Sequence, residues 1–345
     1  MNAPITEETY SFLPPTSDKG TLGVMHLKRY WHKLQAKKDG RLPSDALSDE
    51  WTTDTTLLNT VGLGLEQAIK HILRETEYFE QFENWVLQVN KGALPLKQIE
   101  TFNAQLSGNF TAEDTPIPEV LSKEDLEFWN EHGYIILRNA VAVEDCDNTI
   151  VLMCEHLGIE RHNPETWYRQ HPDRQGIMVQ LFQHPQLQKN RETPVIRMAF
   201  EQLWGRKDIL VNTDRVGFNP PETDTYKFPG PKLHWDVSLD LPIPFGLQGI
   251  LYLSDTAENQ GAFTLVPGFQ NHVEQWIKGL PPGTNPRTQD MYALGHKPIA
   301  ANAGDFIIWH HALPHGSSPN TSKVPRFVQY FVYQPIDAEV KKKWI

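Results

Sequence analysis

A histidine and an aspartate two positions apart, His234 and Asp236 in Leu233-His234-Trp235-Asp236, constrain this chain more than any other feature. In an extended strand, residues two apart point to one face. An imidazole nitrogen and a carboxylate oxygen therefore converge on one point. A second histidine, His315, follows the apolar run Asp305-Phe306-Ile307-Ile308-Trp309. A paired strand would carry it to the same point. Two histidines and one carboxylate on one face of a metal leave the opposite positions open, which is the ligand set of non-haem Fe(II) oxygenases. Arg326, eleven positions after His315, opens a strand-like run to Tyr333. Its guanidinium suits the carboxylate of an organic cosubstrate.

The triplet alone is weak. With 14 histidines in the chain, one or two His-x-acid triplets arise by chance, and three occur. His171-Pro172-Asp173 lies among polar residues and reads as loop. His272-Val273-Glu274 follows the turn Pro267-Gly268 and reads as the start of a helix. Only His234 enters an apolar run with a histidine and an arginine downstream. His310 and His311 compete with His315 as the distal ligand. His315 is preferred because Gly316-Ser317 follows it.

Several ordered motifs make the pattern specific. Leu121 to Arg138, Gly261 to Phe269, the His-x-Asp triplet, Gly304-Asp305, and His315-Gly316-Ser317 through to Arg326 resemble the phytanoyl-CoA dioxygenase family. The similarity covers about residues 120 to 335. It implies a mainly β fold, a double-stranded β-helix (jelly-roll, cupin-like) core flanked by helices. It also implies an oxygenase that uses Fe(II), 2-oxoglutarate and O₂. On this reading His234, Asp236 and His315 bind the metal and Arg326 binds the far carboxylate of 2-oxoglutarate. Ser317 adds a hydroxyl donor, and Thr264 another. Related halogenases have a small residue in place of the carboxylate, so Asp236 favours hydroxylation, with release of succinate and CO₂. The contrasting reading is a metal- or ligand-binding barrel without turnover, carrying an N-terminal protein-interaction module. A zinc hydrolase is disfavoured, because no carboxylate near the triad is placed as a general base.

Length and composition bound the rest. The 345 residues suit a catalytic domain at 116–345 plus a helical extension at 1–115 that packs on the core, lids the site or forms an oligomer contact. A net charge of −11 disfavours nucleic acid as a partner. A small-molecule substrate is expected: an amino acid, a natural-product intermediate or a lipid or acyl group. No apolar run reaches the roughly 18 residues of a membrane span, and residues 1–8 lack a basic region and an apolar core. Cys146 and Cys154 on one helix would stand about 12 Å apart, too far to bridge. Free thiols fit a reducing, cytoplasmic setting.

Along the chain, 1–20 reads as a loosely ordered arm. Helices are expected at 21–38, 55–74, 77–89 and 95–106, without a His/Cys/carboxylate cluster. The basic residues of the first of these helices read as a solvated face. Residues 110–121 read as a linker, and Ser122 with Asp125 as a capping box. Tyr134 to Leu137 is a strand, Asp145 to Leu157 a helix, and 163–190 an irregular loop suited to a substrate lid. Strands follow at 209–218, 232–239, 246–254, 262–266, 298–300, 305–309 and 326–334. In 246–254, Gln248, Ile250 and Tyr252 share one face. If that face points inward, Gln248 and Tyr252 line the iron cavity. Residues 279–295 read as a loop over the barrel mouth.

Overall fold

The computed structural model describes residues 10–111, 116, 117, 119–341 and 343–345. The chain divides into two compact units, Met1–Asp114 and Thr115–Ile345.

The first unit is helical: α1 (Leu27–Lys38), α2 (Trp51–Thr60), α3 (Leu65–Glu75), α4 (Phe79–Val89) and α5 (Leu96–Leu106). The expected first helix begins six residues late. Gly23 and His26 have positive φ, and the Glu83 carboxylate pins the preceding turn by accepting from Thr21 N (2.7 Å) and Leu22 N (3.0 Å). The expected helix 55–74 is two helices, broken at Gly62, whose φ is 71°. Of the N-terminal arm, residues 1–9 lie outside the described residues. Residues 10–20 form turns that bury Leu13 against Ala36 and Leu42. Part of the linker, 112–115 and 118, also lies outside them.

The basic face of α1 is not simply solvated. Lys33 is 1% exposed, and its ammonium lies 2.6 Å from Asp54 and 2.7 Å from Glu50. Arg29 pairs with Glu50 at 2.8 Å, and His26 Nε2 lies 3.0 Å from Asp54. A His/carboxylate cluster therefore exists where none was expected, assembled from separate turns and helices.

The second unit opens with α6 (Lys123–His132), β1 (Tyr134–Leu137) and α7 (Val143–Leu157). The capping box forms as expected: Asp125 N donates to Ser122 Oγ (3.1 Å) and Ser122 N to Asp125 Oδ2 (2.9 Å). The segment expected as an irregular lid contains the hairpin β2 (Arg174–Gln175) and β3 (Met178–Val179) and the helix α8 (Pro185–Arg191). The hairpin pairs with the main sheet through β3, and His184 caps α8 with Pro185 at its first position. Then follow α9 (Pro194–Trp204), β4 (Ile209–Val211), β5 (Val216–Asn219), β6 (Leu247–Tyr252), β7 (Phe263–Leu265), α10 (Val273–Gly279), β8 (Lys297–Pro298), β9 (Phe306–His310), β10 (His315–Ser317), β11 (Arg326–Tyr330) and β12 (Tyr333–Pro335). Two expected strands, 209–218 and 326–334, each split in two, because β4 and β12 leave the main sheet to pair with one another.

All pairings are antiparallel. The large sheet runs β1-β9-β6-β11-β5-β3-β2 and the small one β10-β7-β8. This is the jelly-roll core with flanking helices. Two hydrophobic layers follow from the period-two alternation of β6 and β9. Leu247, Leu251, Phe306 and Ile308 pack with Cys146 and Ile150 of α7 and Phe200 of α9. Ile250, Tyr252, Ile307 and Trp309 pack inward with Phe263 and Leu265 of the small sheet. Each such buried Leu, Ile or Phe contributes about 1.5–3 kcal/mol. Cys146 and Cys154 are both free and buried.

Gly304-Asp305 is an architectural device. A Cβ on Gly304 would stand 2.2 Å from Val141 O, and its φ is +88°. Asp305 is fully buried, and its carboxylate accepts from Asn139 N (2.9 Å), Asn302 N (2.9 Å) and Arg138 Nη1 (2.7 Å).

Removing one partner of a buried ion cluster strands the others. Lys33→Met should cost about 3–5 kcal/mol of stability in residues 10–111, read as lost hydrogen-exchange protection there in the full chain. A loss below about 1 kcal/mol would contradict this reading.

Candidate metal centre and cosubstrate pocket

The site is built on one backbone bridge. His234 N donates to His315 O (2.9 Å) and His315 N donates to His234 O (3.0 Å). Segment 232–239 is otherwise not the strand expected. The carbonyls of Trp235 and Val237 accept from Arg287 instead of a neighbouring strand, the first at 2.7 Å. Arg287 Nε also reaches Ile345 O at 2.8 Å. One guanidinium thus ties the 279–295 loop to the segment carrying Asp236.

The bridge sets the two imidazoles side by side, with ring centroids 4.8 Å apart. Asp236 Oδ1 lies 3.3 Å from His234 Nε2, and Asp236 Oδ2 lies 3.2 Å from His315 Nε2. All three donor atoms fall within 4.8 Å of one another. Ligands at right angles around a cation with bonds near 2.1 Å stand about 3 Å apart, so the spacing fits a metal. The tautomers fit as well. His234 Nδ1 bonds the Lys232 carbonyl at 2.7 Å and His315 Nδ1 the Leu313 carbonyl at 3.0 Å. A carbonyl only accepts, so each Nδ1 holds the proton and each Nε2 turns toward the shared point.

The structure brings His315 to this point, not His310 or His311. His310 Nδ1 accepts from Ala312 N at 3.0 Å, and burial lowers its pKa to about 3. The His311 ring contacts the Pro244 carbonyl. His272 is exposed.

Gln248 reaches the cluster. Its Nε2 donates to Asp236 Oδ2 at 2.8 Å, and Trp309 Nε1 donates to its Oε1 at 3.0 Å. Trp309 was not singled out from sequence. It stands opposite Gln248 in the β6–β9 register, which needs the strand pairing to see. Gln248, the three cluster residues, Phe263 and Ser317 share the wall of a cavity of about 290 Å³.

Arg326 is fully buried. Its Nη2 donates to Ser317 Oγ at 3.1 Å, while Nε and Nη1 have no hydrogen-bond partner. Arg326 is itself off the cavity wall and reaches it through Ser317, which lines the cavity together with Tyr330. Tyr330 sits on the same face of β11 four residues on, a period-two signal that could have found it. Two expected cosubstrate contacts are placed elsewhere. The Tyr252 hydroxyl donates to Ile299 O (2.8 Å) and accepts from Phe263 N (2.8 Å). It is absent from the cavity wall. Thr264 Oγ1 donates to Ala262 O at 3.1 Å, also off the wall. Both hydroxyls answer a local backbone need that no sequence pattern displays.

Burial disfavours charge on both Asp236 and His234, but their mutual contact wins. The bonds and charges of His234 and His315 hold Asp236 well below the usual carboxylate range. Asp236 and the Lys232 carbonyl raise His234 above its ordinary value.

A β-barrel with two histidines and one carboxylate gathered at a cavity is the arrangement of non-haem iron oxygenases. The comparisons make this specific. The profile of the phytanoyl-CoA dioxygenase family matches residues 129–328, and the chain belongs to that family. It is an Fe(II)- and 2-oxoglutarate-dependent enzyme that uses O₂. A Dictyostelium discoideum protein, "Putative phytanoyl-CoA dioxygenase", is 24% identical over 264 residues, 61% of this chain and 74% of that protein. Among solved structures, the carbocyclase SnoK from nogalamycin biosynthesis is 20% identical with a TM-score of 0.46, covering 67% of this chain and 90% of its own. EctD from S. alaskensis is 13% identical with a TM-score of 0.46, covering 67% and 85%. Among the described residues, no helix is long and apolar enough to cross a membrane.

Two outcomes follow. Because a metal must displace the proton that Asp236 stabilises on His234, Fe(II) affinity of the metal-free protein should rise with pH across roughly 6 to 8. A flat profile in anaerobic titrations would contradict this. Gln248→Leu should weaken Fe(II) binding about 10–100-fold, read in the same titration, and unchanged affinity would remove Gln248 from the account.

Proposed function

We propose that this enzyme hydroxylates an unactivated C–H bond of a small organic substrate, with His234, Asp236 and His315 as the three protein ligands of Fe(II). Arg326, with Ser317, takes the far carboxylate of 2-oxoglutarate. The observation that carries the proposal is the pair of unpartnered nitrogens on Arg326. A fully buried guanidinium with two idle donors costs several kcal/mol. A carboxylate can accept a charge-assisted hydrogen bond from one of these nitrogens, on either of the two edges that a guanidinium shares with Nη2.

Bound there, iron and 2-oxoglutarate supply the oxidising power, as 2-oxoglutarate and O₂ become succinate and CO₂ and one oxygen atom enters the substrate. The chain's own part is orientation. Gln248 and Trp309 hold the Asp236 carboxylate in one rotamer. The Lys232 and Leu313 carbonyls hold both imidazoles with Nε2 inward. A carboxylate at position 236 fills the metal position that a halide would need, which supports hydroxylation. The cavity of about 290 Å³ is at the small end of ligand sites. That supports a compact free substrate over an entire acyl thioester. Asn212, Asp214 and Arg215 make one wall polar, and Phe331 and Val332 add apolar surface.

The full chain with Fe(II), 2-oxoglutarate and O₂ should release succinate, and a metabolite screen should find a product heavier by one oxygen. Arg326→Gln should weaken 2-oxoglutarate binding by about 2–5 kcal/mol, roughly 30-fold or more. An unchanged dissociation constant, or iron retained by His315→Ala as tightly as by the natural chain, would overturn the assignment.

A further inference from the structure

The second His-x-Asp triplet is also part of a cluster. His171 and Asp173 precede β2, and they meet His156 near the C-terminus of α7. Asp173 Oδ2 lies 3.1 Å from His156 Nε2 and 4.0 Å from His171 Nδ1. One donor atom from each residue lies within 4.8 Å of the others. We propose that His156, His171 and Asp173 form a second metal site, taking a divalent transition ion of the zinc type with water as the remaining ligand.

Three observations support it. First, His156 Nε2 is buried without a hydrogen-bond partner. Asp173 is within reach, but off the line a hydrogen bond requires. Donors that approach without bonding one another are what a cation between them leaves. Second, the spacing is right. Tetrahedral bonds of about 2.0–2.1 Å put ligands roughly 3.3–3.5 Å apart, and 3.1 and 4.0 Å straddle that. Third, the ligands are in the right state. His171 Nδ1 accepts a 3.2 Å bond from Asp173 N, so it is an unprotonated imidazole nitrogen. That weak bond is the one the ion would displace.

The contrast with His26, Glu50 and Asp54 sharpens the choice. There Lys33 already supplies the cation, at 2.6 and 2.7 Å from the two carboxylates. Asp173 has no lysine or arginine within ion-pair distance among the described residues. Its half-exposed side chain leaves room for water. Imidazole and carboxylate donors suit zinc. Such an ion would staple α7 to the loop entering the β2–β3 hairpin, whose Met178 lines the main cavity.

The test is zinc stoichiometry of the metal-free full chain, by native mass spectrometry and equilibrium dialysis at micromolar Zn²⁺. The natural chain should bind two ions, and His315→Ala one. In the His315→Ala background, His171→Ala should weaken the remaining site by more than the 10–100-fold typical of losing an outer partner. Asp173→Asn, a change at a half-exposed position, serves as the second variant and should weaken it too. The proposal is overturned if His315→Ala binds no zinc, or if its zinc is indifferent to both changes. One ion in the natural chain and one still in His315→Ala would support this site and count instead against the 234/236/315 cluster.

Discussion

Two backbone hydrogen bonds, exchanged between His234 and His315, hold the site together. They join residues 81 positions apart and set both imidazoles on one side of the same bridge. Without them, His234 belongs to a segment with little ladder of its own, since Arg287 takes its carbonyls. The small sheet contributes the other half. His315 pairs with Leu265 in β7, and β7 is packed through Phe263 and Leu265 onto the inward faces of β6 and β9. Hydrophobic burial therefore fixes the position of a polar cluster that would otherwise disperse.

The charged groups of this protein show how a cation, or the lack of one, organises carboxylates and histidines. Around Asp54 the cation is Lys33, and the cluster is closed. Asp305 closes its own valences with two backbone amides and Arg138. Among the described residues, the Asp236 carboxylate bonds or pairs with two histidines and the Gln248 amide, with a cavity on the open side. Arg326 is the mirror image: a buried cation with one hydroxyl partner and two idle nitrogens. On the proposed reading, a metal at one end of a dicarboxylate and a guanidinium at the other would complete both halves at once.

Much of this was legible in the sequence because it depends on short-range spacing. The His-x-Asp triplet, the Gly-Ser after His315 and Arg326 are read along one line. The alternation of Gln248, Ile250 and Tyr252 correctly predicted a shared face, but not what lies at each depth. Gln248 reaches Asp236, whereas Tyr252 is deeper and spends its hydroxyl on backbone. Strand ends were misread for a related reason. An apolar run such as 326–334 carries no mark showing where the chain leaves one sheet to join β4. The clusters at His26 and at His171 were missed because their members come from separate elements. Their meeting is a tertiary fact, visible only once α1 faces α2, and α7 faces the loop before β2.

The most direct measurement is a crystal structure of the full chain loaded anaerobically with Fe(II) and 2-oxoglutarate, with anomalous scattering recorded at the iron edge. The account predicts an iron peak within bonding distance, about 2.0–2.2 Å, of His234 Nε2, an Asp236 oxygen and His315 Nε2. It also predicts the distal carboxylate of 2-oxoglutarate on Arg326 Nε or Nη1. An iron peak away from those three atoms, or a 2-oxoglutarate whose far carboxylate does not meet Arg326, would contradict it.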